Sequence, residues 1–254
     1  MKALITGASS GIGKNMAYVL ANKGIDLILV ARNKDEMLKI KENVKVNVDI
    51  IEMDLQNSKN VFKLYEICKD ENIDILINNA GFGLFGIFTE TDLTRELEMI
   101  DLNIKAYHIL TKLFLKDFVE KDNGFILNVA SSAGFMAGPR LSTYYATKNY
   151  VLKLTMAINE ELRQSGSNVV VSALCPGPVN TNFNKVANGE FSIKEASPKY
   201  VAEYAINKMF KKKMIIVPTL RIKLGIFLLR LIPYRLQLIY CYHIQGKKLG
   251  IKNK

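Results

Sequence analysis

Short, almost wholly apolar runs alternate along the chain with stretches whose apolar residues recur at a helical period. Residues 2–6 (KALIT) and 26–31 (DLILVA) are runs of the first kind, and 11–22 between them is of the second. The same pattern predicts further strands at 46–53, 74–77, 125–129, 168–174 and 214–217, and helices at 58–70, 91–121, 142–164 and 198–211. Strands without alternation are buried on both faces, and strands separated by helices imply right-handed crossovers between parallel neighbours. The expectation is an α/β fold, a doubly wound parallel seven-stranded sheet of the Rossmann type. Pro176 and Pro178 end the sixth strand, because proline cannot continue a central ladder.

No linker, repeat or low-complexity tract divides the 254 residues, so 1–217 reads as one Rossmann-fold domain. Residues 218–254 read as an apolar, basic helical extension of it. Within that extension Lys223, Arg230 and Gln237 recur every seven residues, a polar stripe on an otherwise apolar helix that Pro233 breaks in two. Its runs without a charge are too short to span a bilayer. Two arrangements fit: peripheral contact with a membrane surface through 219–248, or packing over a substrate mouth and a neighbouring subunit. The second is preferred, because most apolar helices of globular chains are packed.

Charge sharpens this picture. The net charge is +11, yet from Lys208 to Lys254 there are twelve Lys/Arg and no Asp/Glu, against 23 basic and 24 acidic residues elsewhere. A neutral body with a basic tail argues against a nucleic-acid-binding core. Cys68, Cys175 and Cys241 are widely spaced without histidine partners; they read as core hydrophobes, with no metal site and no disulfide framework. Met1 and Lys2 lead directly into the first strand, which leaves no signal peptide and predicts a cytoplasmic location.

Three places carry chemistry. Between the first strand and first helix, Thr6-Gly7-Ala8-Ser9-Ser10-Gly11-Ile12-Gly13 is a glycine turn that lets backbone approach a pyrophosphate, which the free N–H groups and the helix dipole would stabilise. The second strand ends at Arg32 where an acid commonly meets the ribose of NAD; a guanidinium there suits the 2′-phosphate of NADP, although it could be an ordinary surface residue. Tyr144 and Lys148, one helical turn apart, can face one cleft, and an ammonium beside a phenol lowers its pKa from about 10 toward neutrality. Tyr65 with Lys69 and Tyr204 with Lys208 have the same spacing and read as solvated helix surface. Only Tyr144 has a serine at a strand end, Ser131, thirteen residues upstream.

On these motifs, with Asp54, Asn78-Asn79-Ala80-Gly81, Asn103 and Pro176-Gly177-x-Val179-x-Thr181 in order, residues 1–217 resemble the shorter, single-domain branch of the short-chain dehydrogenase/reductase family. The resemblance implies that the glycine turn (Thr6, Gly7, Ser9, Ser10, Gly11, Ile12, Gly13) holds the pyrophosphate of a nicotinamide cofactor. Asp54 and Leu55 would take the adenine, Asn79, Ala80 and Gly81 the adenosine side and central sheet, and Pro176, Gly177, Val179 and Thr181 the carboxamide end. Tyr144 would be the proton donor, Lys148 would bind the nicotinamide ribose and tune the tyrosine, Ser131 would bond the carbonyl, and Asn103 would hold a relay water. It also implies a homo-oligomer. Two features depart from that branch: the extension beyond Pro218, and Ser10 where NADP-preferring members often carry a base.

The expected function is hydride transfer between NADP(H), rather than NAD, and a carbonyl or alcohol of an apolar ketone, aldehyde or acyl-type substrate. Phe82, Phe85, Phe88, Phe135, Met136, Leu141, Phe183 and Phe191 fall on loops at the C-terminal strand ends, and Arg140 could meet a carboxylate. The alternatives are a non-catalytic dinucleotide-binding sensor and a membrane-surface adaptor on the same fold. A sensor needs the glycine turn but not Ser131, Tyr144, Lys148 and Asn103.

Overall fold

The computed structural model describes residues 1–181, 183 and 195–248. Its seven strands are β1 (Lys2–Thr6), β2 (Asp26–Ala31), β3 (Val48–Glu52), β4 (Ile75–Asn78), β5 (Phe125–Val129), β6 (Val170–Leu174) and β7 (Ile215–Ile216). They form one parallel sheet in the order β3-β2-β1-β4-β5-β6-β7. The order reverses direction between β1 and β4, which pair through Ala3 with Ile75 and Ile5 with Ile77. At such a switch point the adjacent connections leave to opposite faces and open a crevice above the strand ends.

Helices α1 (Gly11–Ala21), α2 (Lys34–Glu42) and α7 (Pro198–Phe210) cover one face, burying Met16, Leu20, Met37, Ile40, Ile206 and Met209 on the sheet. On the other lie α3 (Ser58–Cys68), α4 (Leu93–Ile100), α5 (Tyr107–Glu120) and α6 (Ser142–Gln164). Here Leu64, Leu110, Phe114, Phe118 and Leu162 are buried against Leu4, Leu76 and Ile126. Burial of each such large apolar side chain is worth about 1.5–3 kcal/mol. Both faces are therefore covered, and this is why β1, β4 and β6 lack polar alternation.

The predicted single helix at 91–121 is interrupted. Between α4 and α5, Asp101–Ala106 forms a π-helical turn, the wider geometry that accommodates one extra residue. Within this turn Asn103 is fully buried, and its side-chain amide bonds the backbone of Phe82. Tyr65 is not solvated surface either: its hydroxyl donates to Asp117 at 3.0 Å and its ring packs edge-on to Phe114. Tyr204 packs against the core with Lys208 Nζ over its ring.

After β7 the chain forms α8 (Leu220–Leu229) and α9 (Tyr234–Lys248), separated at Pro233 as expected. Among the described residues no helix is long and apolar enough to cross a membrane. The expected polar stripe does not survive the break. Lys223 and Arg230 are exposed, but Gln237 is buried, its Nε2 donating to Leu229 O (2.8 Å) and Ile232 O (2.7 Å) at the open end of α8. The turn at 230–233 resets the helical phase, so a seven-residue repeat carried across it marks no common face. The three cysteines are buried and none forms a disulfide.

Candidate active site

The glycine turn lies at the switch point. Thr6 Oγ1 donates to Ile77 O and accepts from the N–H groups of Asn79 (2.9 Å) and Ala80 (3.1 Å), tying the end of β1 to the end of β4. Gly7 and Gly11 have φ of +64° and +54°, the left-handed region that disfavours other residues. A Cβ on Gly13 would stand 2.5 Å from Gly7 O, so the helix can approach the turn only without a side chain. Thr6 and Gly13 do not line the cavity; they shape the turn from behind. Helices α2, α3 and α4 have side-chain N-caps from Asn33, Asn57 and Asp92, whereas Ser10 gives α1 none. The first N–H groups of α1 thus remain available to an anion, reinforced by the helix dipole.

From this turn a cavity of about 1310 Å³ runs across the strand ends. Gly7, Ser9, Ser10, Gly11, Ile12, Arg32, Asp54, Leu55, Asn79, Ala80, Gly81, Ser131, Tyr144, Lys148, Pro176, Gly177, Val179 and Thr181 all line it. Arg32 is 70% exposed and touches Asp54 Oδ2 only at 3.9 Å, which leaves its guanidinium fork open. Asn79 is fixed by donating Nδ2 to Thr6 O and Gly7 O. Open helix N–H groups, positive-φ glycines and a largely exposed guanidinium at the rim fit the diphosphate and ribose ends of a dinucleotide.

Ser131, Tyr144 and Lys148 meet further along. Ser131 follows β5 and accepts from Ala133 N at 3.1 Å, which fixes its hydroxyl at the mouth of a short 3₁₀ turn. Tyr144 faces the same cavity, and burial pushes its phenol up to about 12, with Ser131 acting against that shift. Lys148 is buried, donates Nζ to Val129 O at 2.8 Å and stands 5.8 Å from the Tyr144 ring centroid. Burial lowers its pKa to about 8. The phenol therefore moves opposite to the sequence expectation. Desolvation sets the direction for the phenol, and the Lys148 ammonium is itself desolvated and turned to the Val129 carbonyl.

Asn103 lies outside the cavity lining. Its Oδ1 accepts from Phe82 N (3.1 Å), and its Nδ2 donates to Phe82 O (2.9 Å) and Thr147 Oγ1 (3.1 Å). Thr147 in turn donates to Tyr144 O at 2.7 Å. A supporting network behind it links Asn78, Thr111, Asn128 and Thr155 across β4, β5, α5 and α6.

The loop residues divide. Phe82, Met136, Leu141 and Phe183 line the cavity, and the Phe183 ring lies 5.3 Å from that of Tyr144. Phe85 is buried beside Leu141, Phe135 packs into the core, Phe88 is 63% exposed, and Phe191 lies outside the described residues. Arg140 is not in the lining; it is buried, with its guanidinium 3.8 Å over the Tyr242 ring. Tyr145, Ile222, Gln237, Cys241 and Gln245 complete the cavity from α6, α8 and α9, and no motif assigns them to it. Ile222 covers Gly177, where any side chain would collide with it, and Gln245 Nε2 donates to Tyr145 OH at 2.7 Å.

A parallel sheet with a glycine turn at its switch point defines a Rossmann-type nucleotide-binding domain. The family description "short chain dehydrogenase" matches residues 1–190, and the chain belongs to the short-chain dehydrogenase/reductase family of oxidoreductases. An uncharacterised oxidoreductase of Staphylococcus saprophyticus is 33% identical over 210 residues, 80% of this chain and 88% of that one. A short-chain dehydrogenase from Sphingobium yanoikuyae in complex with NADPH superposes with a TM-score of 0.80 at 31% identity, covering 86% of this chain and 88% of that one. A bulky-bulky ketone specific alcohol dehydrogenase from Comamonas testosteroni does so with a TM-score of 0.77 at 30% identity, covering 86% of each.

Proposed function

We propose that the protein transfers hydride between NADP(H) and the carbonyl or alcohol carbon of an apolar substrate, with Tyr144 giving or taking the proton. The observation that carries this is the convergence of Ser131, Tyr144 and Lys148 on one cavity that is continuous with the uncapped N-terminus of α1. The nicotinamide cofactor, when bound, supplies or accepts the hydride. The chain's own residues hold the rest. A phenol held near 12 keeps its proton at neutral pH, as a donor to a carbonyl oxygen must. Ser131 and Tyr144 together supply two hydrogen bonds where negative charge develops on that oxygen. Lys148 contributes a positive charge beside them, and Asn103 positions the Phe82 loop and, through Thr147, the start of α6. Phe82, Met136, Leu141, Phe183 and the apolar residues of α8 favour an apolar ketone or aldehyde. A screen for oxidation of NADPH by ketones and aldehydes of graded chain length tests the reading; it predicts rates that rise with apolar bulk, and oxidation by none of them would refute it.

Arg32 supports NADP(H) over NAD. Arg32→Asp is expected to shift the ratio of NADPH to NADH dissociation constants by at least tenfold toward NADH, because a carboxylate repels the 2′-phosphate and accepts from a 2′-hydroxyl. Titration of both cofactors checks it, and an unchanged ratio assigns the phosphate to another residue.

The pH dependence follows from Lys148. A lysine with its pKa lowered to about 8 is cationic below that pH and neutral above it, while Tyr144 stays protonated throughout. Ketone reduction should be level from neutral pH to about 8 and then fall. Initial rates under saturating NADPH measure this; a profile level well past pH 8 would contradict the Lys148 assignment.

A further inference from the structure

Helices α8 and α9 leave much of their apolar surface exposed, and on α9 two glutamines are buried beneath it. On α8 the residues facing the cavity include Ile222, Ile226 and Leu229, and on α9 Gln237, Cys241 and Gln245 are at most 8% exposed, while Leu220, Leu224, Phe227, Leu231 and Tyr234 are 56–82% exposed. Buried glutamines under exposed leucines and tyrosines reverse the usual arrangement of a surface helix. So many exposed large apolar side chains on two consecutive helices mark an interaction surface. Around it stand Arg221, Lys223, Arg230 and Arg235, all exposed, and no acid occurs after Glu203. Leu228, Leu236 and Tyr240 line the cavity and are 47–65% exposed, so its rim borders the exposed apolar residues of these helices.

We propose that the outer face of α8 and α9 seats the protein on an anionic lipid surface, with the cavity mouth turned toward the lipid. Apolar side chains would enter the acyl boundary, tyrosines would lie at headgroup level, and the four cations would meet lipid phosphates. Charge decides between this occupant and a second copy of the chain. A two-fold contact sets a patch against itself, so here it would bring cations against cations with no acid in either segment. A lipid surface supplies the missing negative charge and accepts the apolar area together. The inference is independent of the reaction assigned to the cavity.

Sedimentation with vesicles of phosphatidylcholine alone, and of phosphatidylcholine with phosphatidylglycerol, tests it on the full chain. The protein should sediment with the anionic vesicles and not with the neutral ones, and raised salt should weaken the association. The combined variant Leu224→Glu, Phe227→Glu, Leu231→Glu alters exposed residues outside the cavity lining. It should lose at least tenfold in partitioning while binding NADPH as the wild type does. Since the chain has no tryptophan, Tyr234→Trp adds a single reporter whose emission should shift to the blue only when anionic vesicles are added. That readout, with Arg230→Glu and Arg235→Glu, decides the matter should the triple variant fold poorly. Two results would overturn the proposal. One is a wild type that stays in the supernatant with both vesicles. The other is a dimer whose introduced indole is already shielded without lipid and which the outer-face substitutions convert to monomer.

Discussion

Tyr144→Phe is expected to lower kcat for ketone reduction on the order of a thousandfold, with the NADPH dissociation constant changed by less than about threefold. The substitution removes one oxygen. It leaves the ring packed against Phe183 and Tyr145, and it leaves the glycine turn and Arg32 untouched. Ser131 remains to polarise the carbonyl, so the lost part is proton donation and one of two hydrogen bonds to the developing charge. Tyr65→Phe is the matched control from a second Tyr-x-x-x-Lys spacing. It breaks the bond to Asp117 and should cost about 1 kcal/mol of stability without affecting turnover. Steady-state kinetics and cofactor titration of both variants check the pair; a Tyr144→Phe rate above a few per cent of wild type would exclude the phenol as proton donor.

Asn103→Leu should destabilise the fold by about 2–6 kcal/mol, because it orphans both the N–H and the C=O of Phe82 in a buried setting where each unmade bond costs about 1–3 kcal/mol. For a chain of this length that corresponds to a fall in Tm of roughly 4–24 °C. The loss should be accompanied by slower turnover, since a Cβ at Gly81 would stand 2.8 Å from Asn103 Oδ1 and 3.6 Å from Lys148 Nζ, which shows how closely these groups are packed. Thermal unfolding measures the effect. An unchanged Tm would mean that the π turn holds without its asparagine.

Some boundaries were legible to the residue, and the reason is local. Strand β5 is bounded by Gly124, at φ +149°, and α6 is bounded by Arg140 at φ +67° upstream and Gly166 at φ +71° downstream, so local backbone geometry punctuates both elements. The π turn was not legible. Within it Asn103 accepts from Phe82 N and donates to Phe82 O, 21 residues away, and periodicity carries no record of that contact. The glycine turn, Ser131, Tyr144 and Lys148 stood out because several motifs agreed in order. The direction of the Tyr144 shift did not, since it depends on how much water the phenol and the ammonium each lose. In the extension, apolar residues occur on every side of α8 and α9, so no stripe marks which side faces the cavity. Only packing selects Ile222, Gln237, Cys241 and Gln245 as the inner set.

The central claim is that hydride crosses this cavity to a carbon whose oxygen Tyr144 protonates. Its most direct test uses NADPH deuterated at the hydride-donating carbon with a ketone that the screen finds active, followed by mass analysis of the product. The account predicts one deuterium on the carbinol carbon of the alcohol, none on its oxygen after work-up in ordinary water, and no label transfer by Tyr144→Phe. An alcohol formed without deuterium, or label transferred undiminished by Tyr144→Phe, would contradict it.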